Sequence, residues 1–380
     1  MFIKPIQKPA KLLQYESLSR RLADSHPKKE EIVARYHSER SGFKGEESMG
    51  YYLNSHELEQ WKIFHNIKLH DGSSTFQIDF LLVSPTLISI LEIKNISGKL
   101  RFEPDLQQVI WTNKQGIVKI LPDFVIQVNT QKRKLAHWLR KNKYPNISIA
   151  PLVIITDPRC LLEVPDHCKK HSSLSAIIRN SLFPSKFSNL IESHNDLLLK
   201  KLQLNKLTKH ILREDVSSGE DVLSRYAISL TDLHTGFYCR KCENFSNEKR
   251  RQSWRCIVCG QTITTQEPLL QALRDYKYLF NHTISNQQFR WFTNTSSRAD
   301  AYYLLKSLNL PQPAQRNPPP TTSPTYNLPL SPTNKPTTTQ PFTNPSPFTL
   351  RSAKSKTRPK HFEISTDNPV HPLIPFIEAH

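Results

Sequence analysis

The amino-acid sequence predicts a mixed α/β fold, and three observations lead to that class. Two apolar runs, Phe76 to Val83 and Leu87 to Ile93, flank the turn residues Ser84-Pro85-Thr86 and predict a β-hairpin. The run from Ile147 to Thr156 is apolar almost throughout, as expected of an interior strand covered on both faces. Between them, an apolar stripe at helical spacing predicts a helix that begins near Pro122. Strands and helices in this alternation indicate a mixed sheet with helices on its faces.

The other elements have weaker signals. Residues 1–37 are polar, with apolar side chains at rough helical spacing, so we expect a helical lead-in. A first core helix is predicted from Lys44 to Asn54 and a first strand from Trp61 to His70, followed by the turn Asp71-Gly72-Ser73. Short, more exposed strands are predicted between residues 100 and 120, and a helix is predicted from Leu174 to Leu182.

Three charged residues interrupt the apolar hairpin: Asp79, Glu92 and Lys94. A turn with two central residues places Ser84 opposite Leu87, and counting outward from that pair brings Asp79 opposite Glu92. Opposed residues of antiparallel strands share a face, and Lys94 points the same way because side chains alternate along a strand. We therefore expect the two carboxylates and the ammonium group to converge on one side of the sheet.

Charges inside an apolar hairpin are costly unless they are paired or bind a metal ion. One interpretation is a structural salt bridge in which Lys94 neutralises a carboxylate. The other is a metal site, because two carboxylates suit Mg²⁺ or Mn²⁺ and a neighbouring lysine could assist a water molecule or stabilise charge on a phosphate. The occurrence of all three charges in one cross-strand register favours the metal site.

A longer pattern surrounds these residues and extends over roughly residues 38 to 140. Its segments are Gly42-Phe43-Lys44-Gly45-Glu46-Glu47, Gln77-Ile78-Asp79, Glu92-Ile93-Lys94-Asn95, Gly98 and Gln127. In this order, they resemble the nuclease-related domain (NERD), a branch of the PD-(D/E)xK restriction-endonuclease-like superfamily. The chain departs from the family at Pro122-Asp123, where Asn-Pro is more usual.

The resemblance implies an αβββαβ core and metal-dependent cleavage of phosphodiester bonds. By position, Asp79 and Glu92 would hold Mg²⁺ or Mn²⁺, and Lys94 would serve the water or the phosphate. Glu46 would be an auxiliary acid on the first helix, and Gln127 a polar group on the helix after the sheet. Without the resemblance, Glu46 is better explained as an acid favoured by the helix dipole, and a buried amide with a backbone partner explains Gln127 equally well.

A second motif consists of Cys239-Arg-Lys-Cys242 and, after 13 residues, Cys256-Ile-Val-Cys259. Paired Cys-x-x-Cys knuckles supply four thiolates for a closed, structural Zn²⁺ site, and the pattern resembles a zinc ribbon. A redox pair is the alternative for one such motif, but two motifs at this spacing favour zinc. The remaining cysteines, Cys160 and Cys168, lack this spacing, and we interpret them as buried structural thiols.

The chain is strongly basic, with 52 Lys plus Arg against 33 Asp plus Glu and a formal net charge of +19. Such a charge favours polyanionic partners, and together with the motifs it favours nucleic acid, DNA before RNA. The candidate contacts, on the helix after the sheet and around the knuckles, are Lys132, Arg133, Arg240, Lys241, Arg250 and Arg251. A solvated charged surface is the alternative for each of these runs.

Composition also predicts the cellular compartment of the protein and the boundaries of its domains. No stretch approaches about 18 consecutive apolar residues, so we expect a cytoplasmic protein without membrane contact. Sixteen of the 28 prolines follow residue 310, which predicts a disordered tail in which residues 373–377 are a candidate docking segment for a protein partner. The predicted domains are 1–37, helical lead-in; 38–160, nuclease-like; 161–235, helical flank and linker; 236–262, zinc ribbon; 263–310, helical module; and 311–380, disordered tail.

Two hypotheses about function follow. The leading one is a divalent-metal-dependent nuclease domain joined to a zinc ribbon that helps to hold DNA. The alternative is a non-catalytic nucleic-acid-binding or regulatory protein that retains a nuclease-like fold. Short helices after the ribbon permit a helix-turn-helix, and the ribbon itself would bind either nucleic acid or protein.

Overall fold

The computed structural model describes residues 1–55, 58–216, 219–245, 247–250, 253–264, 266–310 and 325–328. Helices and strands alternate within them and the largest sheet is mixed, so the predicted α/β class is confirmed. The elements of the first part are β1 (Phe2–Lys4), α1 (Ala10–Arg21), α2 (Lys29–Leu53), β2 (Lys62–His70), β3 (Thr75–Val83), β4 (Leu87–Lys94), β5 (Gly98–Glu103), β6 (Gln108–Thr112), β7 (Val118–Pro122), α3 (Phe124–Lys141), β8 (Ser148–Ile155), β9 (Cys160–Glu163), β10 (Ile177–Arg179), α4 (Phe183–Glu192), α5 (Lys201–Glu214) and α6 (Val222–Arg225). The elements of the second part are β11 (Asn247–Lys249), β12 (Ser253–Cys256), β13 (Thr262–Thr264), α7 (Gln266–Leu279), β14 (Thr283–Ser285), α8 (Asn286–Thr293), α9 (Arg298–Ser307) and β15 (Thr325–Asn327).

A six-stranded sheet with the order β1-β2-β3-β4-β8-β10 organises the first part. Strands β2, β3 and β4 form an antiparallel meander, and β8 runs parallel to β4 from Leu87↔Ser148 to Lys94↔Ile155. A parallel pair requires a long crossover connection, and α3 lies in that connection. The succession α2-β2-β3-β4-α3-β8 is therefore the αβββαβ order that the resemblance implies.

Hydrophobic side chains cover both faces of this sheet. On one face, α3 and α5 pack through residues that include Val128, Leu135, Trp138 and Leu207. On the other face, α2 and α4 pack through Met49, Leu53, Phe183 and Phe187. Every residue of β4 except Lys94 is buried, so a charged residue in this strand needs a partner within the fold.

A second sheet has the order β7-β6-β5-β9; its strands β5 to β7 lie between β4 and α3 in the chain, and β9 follows β8. It contains the short strands predicted between residues 100 and 120, and most of β7 is exposed. Gly98, at the corner that leads into it, has a φ of 96°, and a Cβ there would lie 2.4 Å from the Thr112 carbonyl oxygen. Only glycine fits this corner without displacing β6.

The structure corrects several predicted boundaries. Helix α2 begins at Lys29 rather than Lys44, so the predicted boundary at residue 38 falls inside a helix. The sheets continue past residue 160, because β9 pairs with β5 and β10 pairs with β8. The helix predicted from Leu174 to Leu182 is wrong: that segment is a strand between two 3-10 turns, because pairing with β8 outweighs local helix propensity. Helix α3 begins at Phe124, where the Asp123 carboxylate accepts from two backbone N–H groups and caps it.

The second part has a separate hydrophobic core. Its three helices enclose side chains such as Leu269, Phe289 and Leu305, and α8 and α9 are joined by a short turn. Strand β15 lies within the tail that composition predicts to be disordered, yet it pairs with β14 and buries Tyr326. For these residues the prediction of disorder is wrong, because one aromatic side chain reaches a core supplied by distant helices. None of the helices within the described ranges has both the length and the apolar character needed to cross a membrane.

Candidate active site

The hairpin of β3 and β4 has the register that the sequence predicts. The Ser84 N–H donates to the Leu87 carbonyl at 2.9 Å, and the pairing runs outward to Phe80 opposite Leu91. At the next position the two strands separate, while β3 remains paired with β2 and β4 with β8. Asp79 lies on the β3 side of this fork.

Asp79 also lies where the side-chain alternation of β3 is interrupted. Residues two apart in a regular strand share a face, but Ile78 packs in the core that contains α3 and Phe80 in the core that contains α2. On the neighbouring strand, Asn66 adopts a left-handed φ of 50°, which asparagine tolerates better than most residues. The Asp79 carboxylate reaches the backbone of β4, where the Ile93 N–H donates to Oδ2 at 2.9 Å.

Glu92 is buried and accepts hydrogen bonds from three donors. Its Oε1 accepts from Lys94 Nζ at 2.7 Å and from Gln127 Nε2 at 2.6 Å, and its Oε2 accepts from Gln131 Nε2 at 2.6 Å. Lys94 Nζ also donates to Gln127 Oε1 at 3.0 Å and lies 4.9 Å from the centre of the Phe124 ring. The structure therefore joins Glu92, Lys94 and Gln127 in one network and fixes the orientation of the Glu92 carboxylate.

Negative charge is concentrated at the fork. Burial raises the pKa of Asp79 well above its ordinary value, and the charges of Glu92 and Glu46 raise it further. Glu46 faces the site from α2, with Oε2 2.7 Å from His65 Nε2. The Gln7 N–H donates to Nδ1 of that ring at 3.4 Å, so Nε2 has the proton and donates to Glu46. The predicted residues Asp79, Glu92 and Glu46 thus interact electrostatically.

Sequence analysis missed two members of this site, Gln131 and His65. Gln131 is four residues after Gln127, so both amides project from one face of α3 toward Glu92. That spacing was a usable signal. His65 is a buried polar residue within the apolar strand β2, but its partner Glu46 lies on α2, and nothing in the local sequence connects them.

A basic cleft opens beside Lys94. It has a volume of about 870 Å³, and its charged and aromatic lining comprises His37, Arg40, Lys44, Lys94, Trp111, Asp157 and Arg159. Asp157 is paired with Arg159 through contacts of 2.8 and 3.0 Å, which lowers the pKa of Asp157. The remaining charges of the lining are cationic or, for His37, titratable, so the cleft favours an anion.

One family model matches the part of the chain that contains the fork. Residues 41–156 match the family model of the nuclease-related domain. The matched range includes both carboxylates at the fork and the whole network around Glu92, whereas the four knuckle cysteines lie outside it. Comparisons of the chain with curated proteins and with solved structures gave no match.

The carboxylates within residues 41–156 are suited to a divalent cation. Carboxylate oxygens are the donors that Mg²⁺ and Mn²⁺ prefer. Burial first, and then the negative charges of Glu92 and Glu46, raise the pKa of Asp79, and a bound cation would relieve the repulsion between these charges. Asp79 and Glu92 would be the ligands, and Gln127 and Gln131 would orient Glu92.

The four knuckle cysteines converge as the sequence predicts. Their sulfur atoms all lie within 4.8 Å of one another, with 3.7 Å between Cys239 and Cys259 and 3.4 Å between Cys242 and Cys256. Burial alone would raise the pKa of Cys256, but backbone N–H donors at Cys259 and Val258 and the Cys242 thiol lower it to about 7. Gly260, with a φ of 69°, turns the chain after the second knuckle. The cluster can hold a zinc ion.

The basic residues predicted to contact nucleic acid are dispersed. Lys132 and Arg133 lie on α3, half-buried and exposed respectively, and Arg133 donates to the Thr130 hydroxyl. Arg240 and Lys241 are exposed at the first knuckle, where Arg240 pairs with Glu267 at 2.6 Å. Arg250 is exposed and pairs with Glu248. Arg251 lies outside the described residues. The cleft beside Lys94, which sequence analysis did not find, instead brings four cationic side chains into one lining: Arg40, Lys44, Lys94 and Arg159.

Proposed function

We propose that the nuclease-related domain is a divalent-metal-dependent nuclease that hydrolyses phosphodiester bonds in nucleic acid. The observation that supports this most strongly is the meeting of Asp79, Glu92 and Lys94 at the fork between β3 and β4, next to a basic cleft. A purely structural ion pair needs one acid and one base. Here burial and the charges of two further carboxylates, Glu92 and Glu46, raise the pKa of Asp79, an arrangement that costs stability and fits a cation site.

In this mechanism the chain supplies two fixed carboxylates and the ammonium group of Lys94. Asp79 is held by the Ile93 N–H, and Glu92 by Lys94, Gln127 and Gln131, so both carboxylates are fixed before substrate binds. A divalent ion, when bound, would polarise the phosphate as a Lewis acid. Lys94 lines the cleft, and its ammonium group would orient a water molecule or stabilise the charge that develops on the phosphate.

The cleft supports nucleic acid as the substrate, and we propose DNA before RNA. Arg40 and Lys44 on α2 and Arg159 in the segment after β8 line the same cleft as Lys94. Contacts of this kind bind the phosphate backbone without reading sequence. Binding through the cleft should therefore weaken steeply as salt rises.

We propose that the cysteine cluster binds Zn²⁺ as a structural ion. Four sulfur donors close the coordination shell and leave no position for substrate. The adjacent strands β11 to β13 are short, and Trp254 packs on Phe237 at a ring distance of 4.1 Å directly beside the cluster. A bound ion would hold the two knuckles together in a module with few apolar residues of its own.

The test is cleavage of labelled single- and double-stranded DNA and RNA with Mg²⁺ or Mn²⁺ by the wild-type chain and by Asp79→Ala. We expect metal-dependent cleavage that disappears in the variant while circular dichroism shows retained folding. The substrate that is cut identifies the nucleic acid. Binding without cleavage, unchanged by the substitution, would contradict the proposal.

One observation favours a second candidate, a nucleic-acid-binding protein without turnover. Lys94, Glu92 and Gln127 already satisfy one another, so the network is also complete as a structural ion pair. In that case the basic cleft would still bind nucleic acid. The outcome of binding without cleavage in the same experiment would select this candidate.

Replacing Gln131 by Leu should lower activity although Gln131 does not reach the substrate. Its amide is the donor to Glu92 Oε2, and its own Oε1 is buried without a hydrogen bond among the described residues. Loss of such a positioning residue typically costs about 10- to 100-fold in metal affinity or activity. The measurement is the cleavage rate as a function of Mn²⁺ concentration, in which the half-saturating concentration should rise. Thr130→Ala, one residue earlier on α3, is the matched control and should leave that concentration unchanged.

A further inference from the structure

A second group of metal-ligating side chains lies away from both the fork and the cysteine knuckles. It consists of Asp105, His167 and Cys168, whose ligand atoms all lie within 4.8 Å of one another. Cys168 Sγ donates to Asp105 Oδ2 at 3.2 Å, and His167 Nε2 lies 3.8 Å from the same oxygen. Cys168 is buried, whereas Asp105 and His167 are exposed.

The parallel pairing of β5 and β9 explains why these distant residues meet. Its register joins Gly98 to Cys160 and Arg101 to Glu163, a constant offset of 62 residues. The same offset, continued past the strands, places Asp105 beside His167. Asp105 lies in the 3-10 turn Pro104–Leu106 and His167 in the 3-10 turn Asp166–Cys168, so two turns on neighbouring chain segments present their side chains to one point.

We propose that Asp105, His167 and Cys168 form a binding site for a zinc-like divalent ion, separate from the carboxylate site and the four-cysteine site. One sulfur, one imidazole nitrogen and one carboxylate oxygen are the donor types of Zn²⁺ sites. Their separations of 3.2 to 4.8 Å match the spacing of ligands that each lie about 2.0–2.3 Å from one ion. Binding replaces the thiol proton of Cys168, which passes to solvent, by a sulfur–metal bond.

The exposure pattern is consistent with ion entry from solvent. The sulfur is covered, while the imidazole and carboxylate form the open side, where a water molecule would complete four-coordination. The His167 nitrogen is 3.8 Å from the carboxylate oxygen, beyond hydrogen-bonding distance but within the range of an ion pair with a protonated imidazole. A bound ion would fasten the turn after β9 to the turn between β5 and β6.

The test is titration of the full chain with Co²⁺ and measurement of zinc content, comparing wild type with Cys168→Ser. Cobalt bound to thiolate gives a charge-transfer absorption that a carboxylate-only site lacks, so the fork does not contribute to this signal. We expect Cys168→Ser to lose one equivalent of zinc and part of the thiolate absorption. Cys160→Ala, which removes the other buried thiol outside the knuckles, should retain both.

Two further variants keep the test decisive if Cys168→Ser folds poorly. His167 and Asp105 are exposed, so His167→Ala and Asp105→Asn should fold, and each should weaken binding of the additional Co²⁺ ion by at least about tenfold. Equal zinc content and equal thiolate absorption in wild type and all three variants would overturn the proposal. Cys168 and Asp105 would then form only a buried thiol–carboxylate hydrogen bond.

Discussion

A variant with Asn in place of Asp79 is expected to lose metal-dependent cleavage and to be more stable than the wild type without added Mg²⁺ or Mn²⁺. Asn removes a charge that the neighbouring carboxylates disfavour, while its side-chain oxygen can still accept from the Ile93 N–H. We expect a gain of about 0.5–2 kcal/mol, the usual range of stabilising substitutions. Loss of a metal ligand should lower the cleavage rate on the order of a thousandfold or more.

The stability difference between the wild type and Asp79→Asn should depend on pH, and the raised pKa of Asp79 gives the direction of that dependence. Because the pKa of Asp79 is raised in the folded state, the folded protein binds more protons than the unfolded chain above the ordinary carboxyl pKa of 3.8. The stability of the wild type relative to Asp79→Asn should therefore fall as pH rises from about 4 toward the folded-state pKa. Added Mg²⁺ should stabilise the wild type and leave the variant unaffected, because ligands stabilise only the state that binds them. Chemical denaturation at several pH values measures both effects.

Asp71 provides the matched control with the opposite sign. The N–H groups of Ser74 and Ser73 and the Ser73 hydroxyl hold the pKa of Asp71 well below its ordinary value. Its contribution to stability is present above the unfolded pKa and is lost as pH falls, so Asp71→Asn should be less stable than the wild type at neutral pH. If Asp79→Asn and Asp71→Asn shifted stability in the same direction, the crowding of charge at the fork would not be the cause.

The central hairpin was predictable because its information is local. The turn at Ser84 and Leu87 fixes the register, so counting alone gives the pairing as far as Phe80 opposite Leu91, but it does not show that the strands separate at Asp79. Gln127 followed from the family pattern, and the four cysteines from their spacing. The helical interval between Gln127 and Gln131 contained the same kind of local signal but was not used.

What the sequence did not reveal depends on contacts between distant segments. The pair His65 and Glu46 joins a strand to a helix, and the break in alternation at Asp79 lies beside the left-handed Asn66 on β2. The pairing of β9 with β5, like that of β15 with β14, joins residues at least 40 positions apart. Local propensity has no information on such pairings, and tertiary packing therefore decides them.

A second large effect, on stability, is expected from substitutions where the N-terminal helix α1 packs against the C-terminal core. Arg21 is fully buried, and its Nε donates to Asp275 Oδ2 at 2.8 Å. Its Nη1 donates to the carbonyls of His234 and Gly236 at 3.0 and 3.2 Å, just before the first cysteine knuckle. The guanidinium also lies 4.0 Å from the centre of the Phe292 ring. One side chain thus connects α1, α7, α8 and the segment that leads into the zinc module.

Asp275→Ala should destabilise the chain by about 3–5 kcal/mol, because it leaves the Arg21 guanidinium buried without its counter-charge. Arg20, whose side chain is only 13% exposed, also contacts Asp275 at 2.5 Å, so the loss of this second ion pair is part of the expected cost. The measurement is the free energy of unfolding by chemical denaturation with zinc present. The double variant Arg21→Met with Asp275→Leu removes both charges and should recover much of the loss, since well-packed apolar residues often replace a buried pair without cost.

The surface pair Lys28–Glu31 is the matched control, since its side chains are 49% and 45% exposed at a separation of 3.1 Å. Glu31→Ala should change stability by no more than about 1 kcal/mol, because solvent screens an exposed pair. A cost for Asp275→Ala as small as that of Glu31→Ala would show that water reaches Arg21 and that the two parts of the chain are joined mainly by apolar contacts. A large cost that the double variant relieves would instead identify the unpaired charge as the cause. The N-terminal helix and the zinc module would then unfold together.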